Sequence, residues 1–261
     1  SGVTSMNRMF YGCWMFNQDI GNWNTTNVTD FGSMFMFARR FNCGTGTPAP
    51  YNSTELAKNI DTKEVTVGNN TYLAWDTQNA TSLAKMFEDA TYSSTTEGFN
   101  KPIGNWNTSK VVTIEDMFRQ TERFNQDITT RKVTVGSTTY FAWDTLEMTN
   151  MKGVFFGATD FDGDVGNWNT TKVTSTITMF RDALNFSTDV RAKRVRVGGT
   201  DAEGGKLYDA WSMSNIETMD GMFSRCARFN QNISFWKVDY RKMEADTSKG
   251  PPYGVNGMFE G

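Results

Sequence analysis

The sequence predicts an α/β repeat solenoid in which each turn of about 25 residues supplies a short helix or 3₁₀ turn and a short parallel strand, with β-hairpins inserted in alternate turns. Three observations carry this. A Met-Phe pair recurs along the whole chain, a second Phe and a Trp follow it at fixed distances, and three look-alike valine-rich segments interrupt every other unit.

The anchors come first. Met-Phe pairs end at Phe10, Phe35, Phe87, Phe118, Phe180, Phe223 and Phe259, and Val154-Phe155 fills the remaining slot, so about eight units are expected. A second Phe stands six residues later at Phe16, Phe41, Phe124, Phe161, Phe186 and Phe229, whereas the unit of Phe87 waits until Phe99, with Ser93-Ser94-Thr95-Thr96 between. Trp follows the second Phe by seven residues at Trp23, Trp106, Trp168 and Trp236. A side chain that recurs at strict spacing is a core side chain, so Phe10, Phe16, Trp23, Phe35, Phe118, Phe124, Phe180 and Phe223 are assigned to a shared core that no single unit can complete.

The helical element is read from Val3, Met6, Met9 and Phe10, whose spacing lays one apolar stripe on a short helix or 3₁₀ turn. Three residues after each anchor sits a small residue (Cys13, Ala38, Ala90, Thr121, Ala158, Ala183, Cys226), which suggests close backbone approach. The strand is assigned to stretches such as residues 16–20, FNQDI. The inserted segments are expected to be hairpins: Val65 and Val67 alternate with polar residues, Gly68-Asn69-Asn70 turns the chain, and Tyr72 to Trp75 returns. Gly136-Ser137-Thr138 repeats the turn, and the third insertion carries Gly198-Gly199 and Gly204-Gly205 at its tip. Residues 1–261 are expected to form one solenoid domain, either a fragment of a longer array or capped by partners, because neither end carries a polar cap.

Composition excludes several functions. There is no histidine, which removes the commonest general base and metal ligand. The formal net charge is -3 without a basic arm, which speaks against nucleic acid, and no apolar run of about 18 residues exists to span a membrane. No Gly-rich phosphate loop or nucleophile elbow is present, and Glu88-Asp89 and Glu115-Asp116 read as solvated helix faces, so the chain is expected not to be an enzyme and to need no cofactor.

The stretch MFxxAxxFNQDIGNWNTSxVTxM, matched by residues 9–28, 117–128, 154–173 and 222–233, resembles the repeat of BspA-like leucine-rich-repeat proteins in the variant common in mycoplasma surface lipoproteins. The resemblance covers nearly the whole chain. It implies a right-handed leucine-rich-repeat-like solenoid on a cell or particle surface, outside the cell, with an adhesive role. It carries no catalytic residues. The irregular loop at residues 44–59 departs from the pattern.

Candidate sites lie off the repeat. Trp14 and Phe37 follow no anchor register, and the hairpin tips offer Asn69, Asn70, Ser137 and Thr138; these are the partner-contact candidates. Asp160, Asp162 and Asp164 resemble a calcium loop but occupy repeat positions without the glutamate an EF-hand needs, so no metal is assigned. Asn24, Asn107, Asn169, Asp76 and Asp144, each just after a Trp, read as a polar ladder that satisfies turn backbone. Of the sequons at Asn24, Asn27, Asn52, Asn107 and Asn169 most are by-products of the Asn-Thr repeat, and Cys13 and Cys43 are close enough in the repeat for a disulfide in an oxidising compartment. The expected function is adhesion to a protein or glycan on another surface; the alternative is a structural protein that assembles with copies of itself into a filament, surface layer or virion.

Overall fold

The computed structural model describes residues 2–41, 59–93, 97–239 and 257–259. Its core is a set of aromatic columns. Within one layer Phe118 and Phe124 lie face to face with centroids 3.8 Å apart, and Phe87–Phe99 and Phe155–Phe161 repeat this at 3.8 Å. Between layers the first Phe column steps by 5.6 Å from Phe35 to Phe87, 5.8 Å to Phe118, 5.7 Å to Phe155 and 5.5 Å to Phe180. Offset stacking of this kind adds to what area burial contributes. Phe35, Phe118, Phe124, Phe180 and Phe223 are buried, while Phe10, Phe16 and Trp23, in the first layer, are partly covered. Each buried indole N–H finds a carbonyl one layer back: Trp106 donates to Ile60, Trp143 to Ile103, Trp168 to Ile128 and Trp211 to Val165.

The backbone departs from the expected solenoid. Among the described residues there is no α-helix, and every named strand belongs to an antiparallel pair rather than to a parallel sheet. The Met-Phe segment is a run of tight turns. Met9 N–H donates to Met6, Tyr11 to Arg8 and Cys13 to Phe10, while the intervening Met6, Arg8, Phe10 and Gly12 N–H groups donate to Asp30, Gly32, Met34 and Met36 of the next layer. A helix needs every amide for its own axis; here alternate amides are given to the neighbour. Residues two before and two after the anchor Phe take a positive φ: Arg8 and Gly12, Ser33 and Phe37, Asp116 and Gln120, Thr178 and Asp182. That places a left-handed residue third in the turn, as type II turns require, and breaks any helix. The parallel strand is reduced to single bridges that tie Ser5, Asp30, Ser82, Thr113, Asn150, Ser175 and Thr218 in sequence, and residues 16–20 form no strand. The leucine-rich-repeat-like α/β architecture is thus replaced by stacked, turn-built layers.

Regular strand is confined to hairpins: β1 (Lys63–Val67) with β2 (Asn70–Ala74), a short β3 (Thr91–Ser93) with β4 (Glu97–Gly98), β5 (Arg131–Val135) with β6 (Thr138–Ala142), and β7 (Lys193–Val197) with β8 (Lys206–Ala210). A 3₁₀ turn, Asp201–Glu203, closes the last. Beside the Trp column runs a buried threonine column in which Thr25, Thr77, Thr108 and Thr145 donate to the carbonyls of Asp76, Asn107, Asp144 and Asn169 one layer on. The Asn and Asp residues just before these threonines accept the N–H two residues ahead, as in Asn107 to Ser109 and Asp144 to Leu146. Cys226 fills its small-residue slot and donates to Ala183, and burial pushes its thiol up to about 12. Cys43, and with it the Cys13–Cys43 pairing, lies outside the described residues, as do Asn52, the Ser94-Thr95-Thr96 insertion and nearly all of the 44–59 loop.

Candidate functional site

Among the described residues, each long hairpin grows from a layer whose neighbours carry no long hairpin. β1 and β2 pair in register from Lys63–Ala74 to Val67–Asn70, closed by Gly68-Asn69; β5 and β6 pair from Arg131–Ala142 to Val135–Thr138, closed by Gly136-Ser137. Gly68 and Gly136 have φ of 62° and 58° at the first central position, the place where a II′ turn demands a left-handed residue and where glycine costs nothing sterically. Thr66 meets Thr71, and Thr134 meets Thr139, through hydroxyls 2.9 Å apart.

A tyrosine latches each hairpin to the layer before it. Tyr72 donates to the Asn22 carbonyl at 2.5 Å, Tyr208 to Asn167 at 2.5 Å, and Tyr140 to Asn105. Burial pushes the phenols of Tyr140 and Tyr208 up to about 12. In the unfolded chain they ionise near 10, so the folded state keeps two protons that the unfolded state releases. Their stabilisation is complete below pH 10 and is lost as pH rises to 12. Urea unfolding from pH 9 to 12 is expected to show the steepest fall between pH 10 and 12. The Tyr140→Phe/Tyr208→Phe chain is expected to lose about 1 kcal/mol per hydroxyl at neutral pH together with most of that slope; an unchanged slope would show that other groups cause it.

The hairpins form a row. The tip glycine Gly136 sits against the Glu64 side chain of β1, and Gly198 sits against Phe141 and Lys132 of the second hairpin. Lys132 donates to the Glu203 carbonyl across the gap, and Lys206 of β8 lies over the Phe141 ring and pairs with Asp144. Coverage grows along the row: Val67 is 50% exposed, Val135 is half-buried, and Val197 is 8% exposed. Two layers separate successive hairpins, 5.6 and 5.8 Å by the Phe centroids, and each tip reaches back across them to the base of the hairpin before.

The tip candidates Asn69, Asn70, Ser137 and Thr138 are all exposed, and each later tip rests on the base of the hairpin before it, Gly136 on Glu64 and Gly198 on Lys132. Trp14 and Phe37 belong instead to the Met-Phe turns of the first two layers. Trp14 is exposed beneath the Arg39 guanidinium at 5.4 Å, and Phe37 is half-buried, with its ring edge-on to Tyr11 at 5.7 Å. The three aspartates of the calcium-like stretch go separate ways: Asp160 pairs with Arg123 at 2.6 Å, Asp162 accepts from the Ser187 N–H at 2.8 Å, and Asp164 accepts from Gly166 at 2.8 Å. Among the described residues no three His, Cys, Asp or Glu side chains converge on a metal-sized site.

One charged cluster escaped the sequence reading. Asp116, expected on a solvated helix face, is buried at a left-handed turn position, with Lys85 at 3.6 Å and Arg119 at 3.7 Å. Arg119 also reaches Glu88 at 3.7 Å and lies 4.3 Å from the Phe156 centroid, with Arg181 at 5.7 Å from the same ring. Burial raises the Glu88 carboxyl, opposed by Lys85. The side chains come from positions that vary from unit to unit, so no periodic signal marks them.

A family model described as "Mycoplasma protein of unknown function, DUF285" matches residues 1–54, 61–141 and 133–244. The chain belongs to this family. The second and third DUF285 matches meet inside the second hairpin, so the family pattern is itself a repeat that runs through layers and hairpins alike. No curated protein and no solved structure matches the chain. No helix among the described residues is long and apolar enough to cross a membrane.

Proposed function

We propose that this chain is a non-catalytic binding module displayed on an extracellular cell or particle surface, which holds a protein or glycan on another surface through its hairpin tips. The BspA-like resemblance supports the surface placement as a proposal, without its fold. The observation that carries the reading is the pair of exposed polar tips, Asn69-Asn70 and Ser137-Thr138, on latched hairpins. Rigid supports of this kind hold contact groups at fixed spacing and lower the ordering cost of binding. The absence of histidine and the commitment of Glu88 and Asp116 to Lys85 and Arg119 support a non-catalytic role. Protein and glycan arrays probed with the intact chain test it. Binding to a defined subset is expected, with about a tenfold loss when Asn69, Asn70, Ser137 and Thr138 are all changed to Ala. Empty arrays, or binding indifferent to the tips, would overturn the reading.

A second reading, a structural protein that assembles with copies of itself, is favoured by one observation: the outer backbone edges of the hairpins have no strand beside them among the described residues.

A further inference from the structure

The position just after the anchor Phe is held by Arg119, Phe156 and Arg181 in three successive layers. The Arg119 guanidinium lies 4.3 Å from the Phe156 centroid and that of Arg181 lies 5.7 Å from it, so the three side chains form one continuous strip. Phe156 is half-buried, and the two arginine side chains are 36% and 40% exposed. In the first layer the same position carries Tyr11, with Phe37 of the second layer edge-on to it at 5.7 Å. Phe37 holds a φ of 61°, where its counterparts Gly12 and Gly157 sit without steric cost and an aromatic residue is strained. Backbone strain of this kind clusters at contact sites.

The arginines of the strip have donors to spare. A guanidinium carries five N–H groups. Arg119 has oxygens of Glu88 and Asp116 at 3.7 Å, and Arg181 has Asp182 at 3.7 Å, all too long for a hydrogen bond. Asp182 gives its close contact, 2.5 Å, to Arg225 instead. The Nε of Arg181 is buried without a hydrogen-bond partner. The neighbouring carboxylates therefore offset these charges from a distance and leave the planar forks open to an incoming carboxylate.

The spacing of the strip selects the shape of the partner. The layers step by 5.7 Å from Phe118 to Phe155 and by 5.5 Å from Phe155 to Phe180. An α-helix rises about 5.4 Å per turn, so a helix laid along the stack presents one turn to each layer. Its residues i and i+7 lie about 10.5 Å apart along the axis, which is two layers; they face Arg119 and Arg181 while i+3 and i+4 face Phe156. An extended strand repeats its face about every 6.7 Å and so falls out of step by about 1 Å per layer.

We infer that the Arg119–Phe156–Arg181 strip is a docking site for an acidic amphipathic α-helix of a partner protein, laid along the stack with carboxylates at i and i+7 and apolar residues between them. Arginine and aromatic residues are the types enriched at protein interfaces, and helix-in-groove recognition reads anchors at i, i+3, i+4 and i+7. The unused guanidinium donors set the charge of that helix, and the layer spacing sets its pitch. The inference depends on neither of the two readings above.

Fluorescence anisotropy on the intact chain tests it, with a labelled alanine-based peptide of about 21 residues that carries Glu at i and i+7 and Leu at i+3 and i+4. Saturable binding is expected, weakened by added salt. Arg119→Gln/Arg181→Gln and Phe156→Ala are each expected to weaken it about tenfold. Lys172→Gln, whose side chain pairs with Glu147 elsewhere on the layers, is expected to leave it unchanged. No saturable binding, or equal binding by a peptide with Lys in place of Glu, overturns the inference. So does equal binding by an isomer that alternates Glu and Leu, the strand pattern. A loss in the arginine variant with none in Phe156→Ala marks a contact by charge alone and overturns it too. Should the arginine variant fail to fold, Phe156→Ala decides. The variant with all four tip residues changed to Ala is expected to bind the peptide as the wild type does, so this inference and the tip reading fail separately.

Discussion

Phe118→Ala is expected to cost about 3–5 kcal/mol. The ring is fully buried, lies 3.8 Å from Phe124 in its own layer, and stacks at 5.8 and 5.7 Å on Phe87 and Phe155. Truncation opens a ring-sized cavity whose walls are themselves rings held by layers on both sides, so the site has little room to collapse. Stability in a stacked array is a sum over nearest-neighbour interfaces, and Phe118 belongs to two of them. Phe10→Ala, at a half-covered position stacked only on Phe35 across a layer boundary, is expected to cost well under half as much. Urea unfolding of both variants checks the ranking. Equal losses would show that the column is not where cohesion resides.

Gly166→Ala is expected to cost about 2–3 kcal/mol for a different reason. A methyl group there would stand 2.6 Å from the Asp189 carbonyl oxygen and 3.0 Å from the Asp164 carboxylate. The oxygen of Asp189 is backbone of the next layer and cannot turn away. The neighbouring layers are also pinned, since Trp211 donates its backbone N–H to Trp168 and its indole N–H to Val165. Gly21 and Gly104 face the same obstacle at 2.8 Å from Asn59 and 2.9 Å from Asp127. Gly68→Ala is the control. Its added methyl meets open space, so only the left-handed φ of 62° is penalised, at roughly 1–2 kcal/mol. Thermal unfolding of the two variants side by side is the check, and a milder Gly166 variant would sink the steric account.

The contrast between those glycines shows what was legible in the sequence. The Phe and Trp anchors were, because burial in a repeating array forces a residue type to recur at fixed spacing. The hairpins stand where the valine alternation and the tip glycines fall. The local conformation was misread. Val3, Met6, Met9 and Phe10 fit one helical face, but chained turns bury the same positions. The left-handed residues that tell the two apart are Arg8, Ser33, Lys85, Asp116 and Thr178 in five of the layers. Glycine announces such a backbone; charged and polar residues do not, and here the hydrogen bonds to adjacent layers hold them in it. Trp75, Trp143 and Trp211 also sit at positive φ, forced there by the returning strand. The exposed place of Asn69, Asn70, Ser137 and Thr138 at the hairpin ends was legible from the turn chemistry alone. The Lys85–Glu88–Asp116–Arg119 cluster was invisible because it exists only across two layers.

The alternation of bare and hairpin-bearing layers restricts how such a chain can change in length. Each hairpin leans back with its tip on the base of the hairpin two layers away, as Gly136 on Glu64 and Gly198 on Lys132, so hairpins on adjacent layers would collide. Losing or gaining one layer would shift the phase and set two hairpins against each other or leave a gap in the row. Losing or gaining two keeps every hairpin opposite its neighbour. The 68 residues that separate Trp75 from Trp143, and Trp143 from Trp211, are that unit of growth. Length variants that fold are therefore expected to differ by whole pairs of layers, and the row lengthens one hairpin at a time.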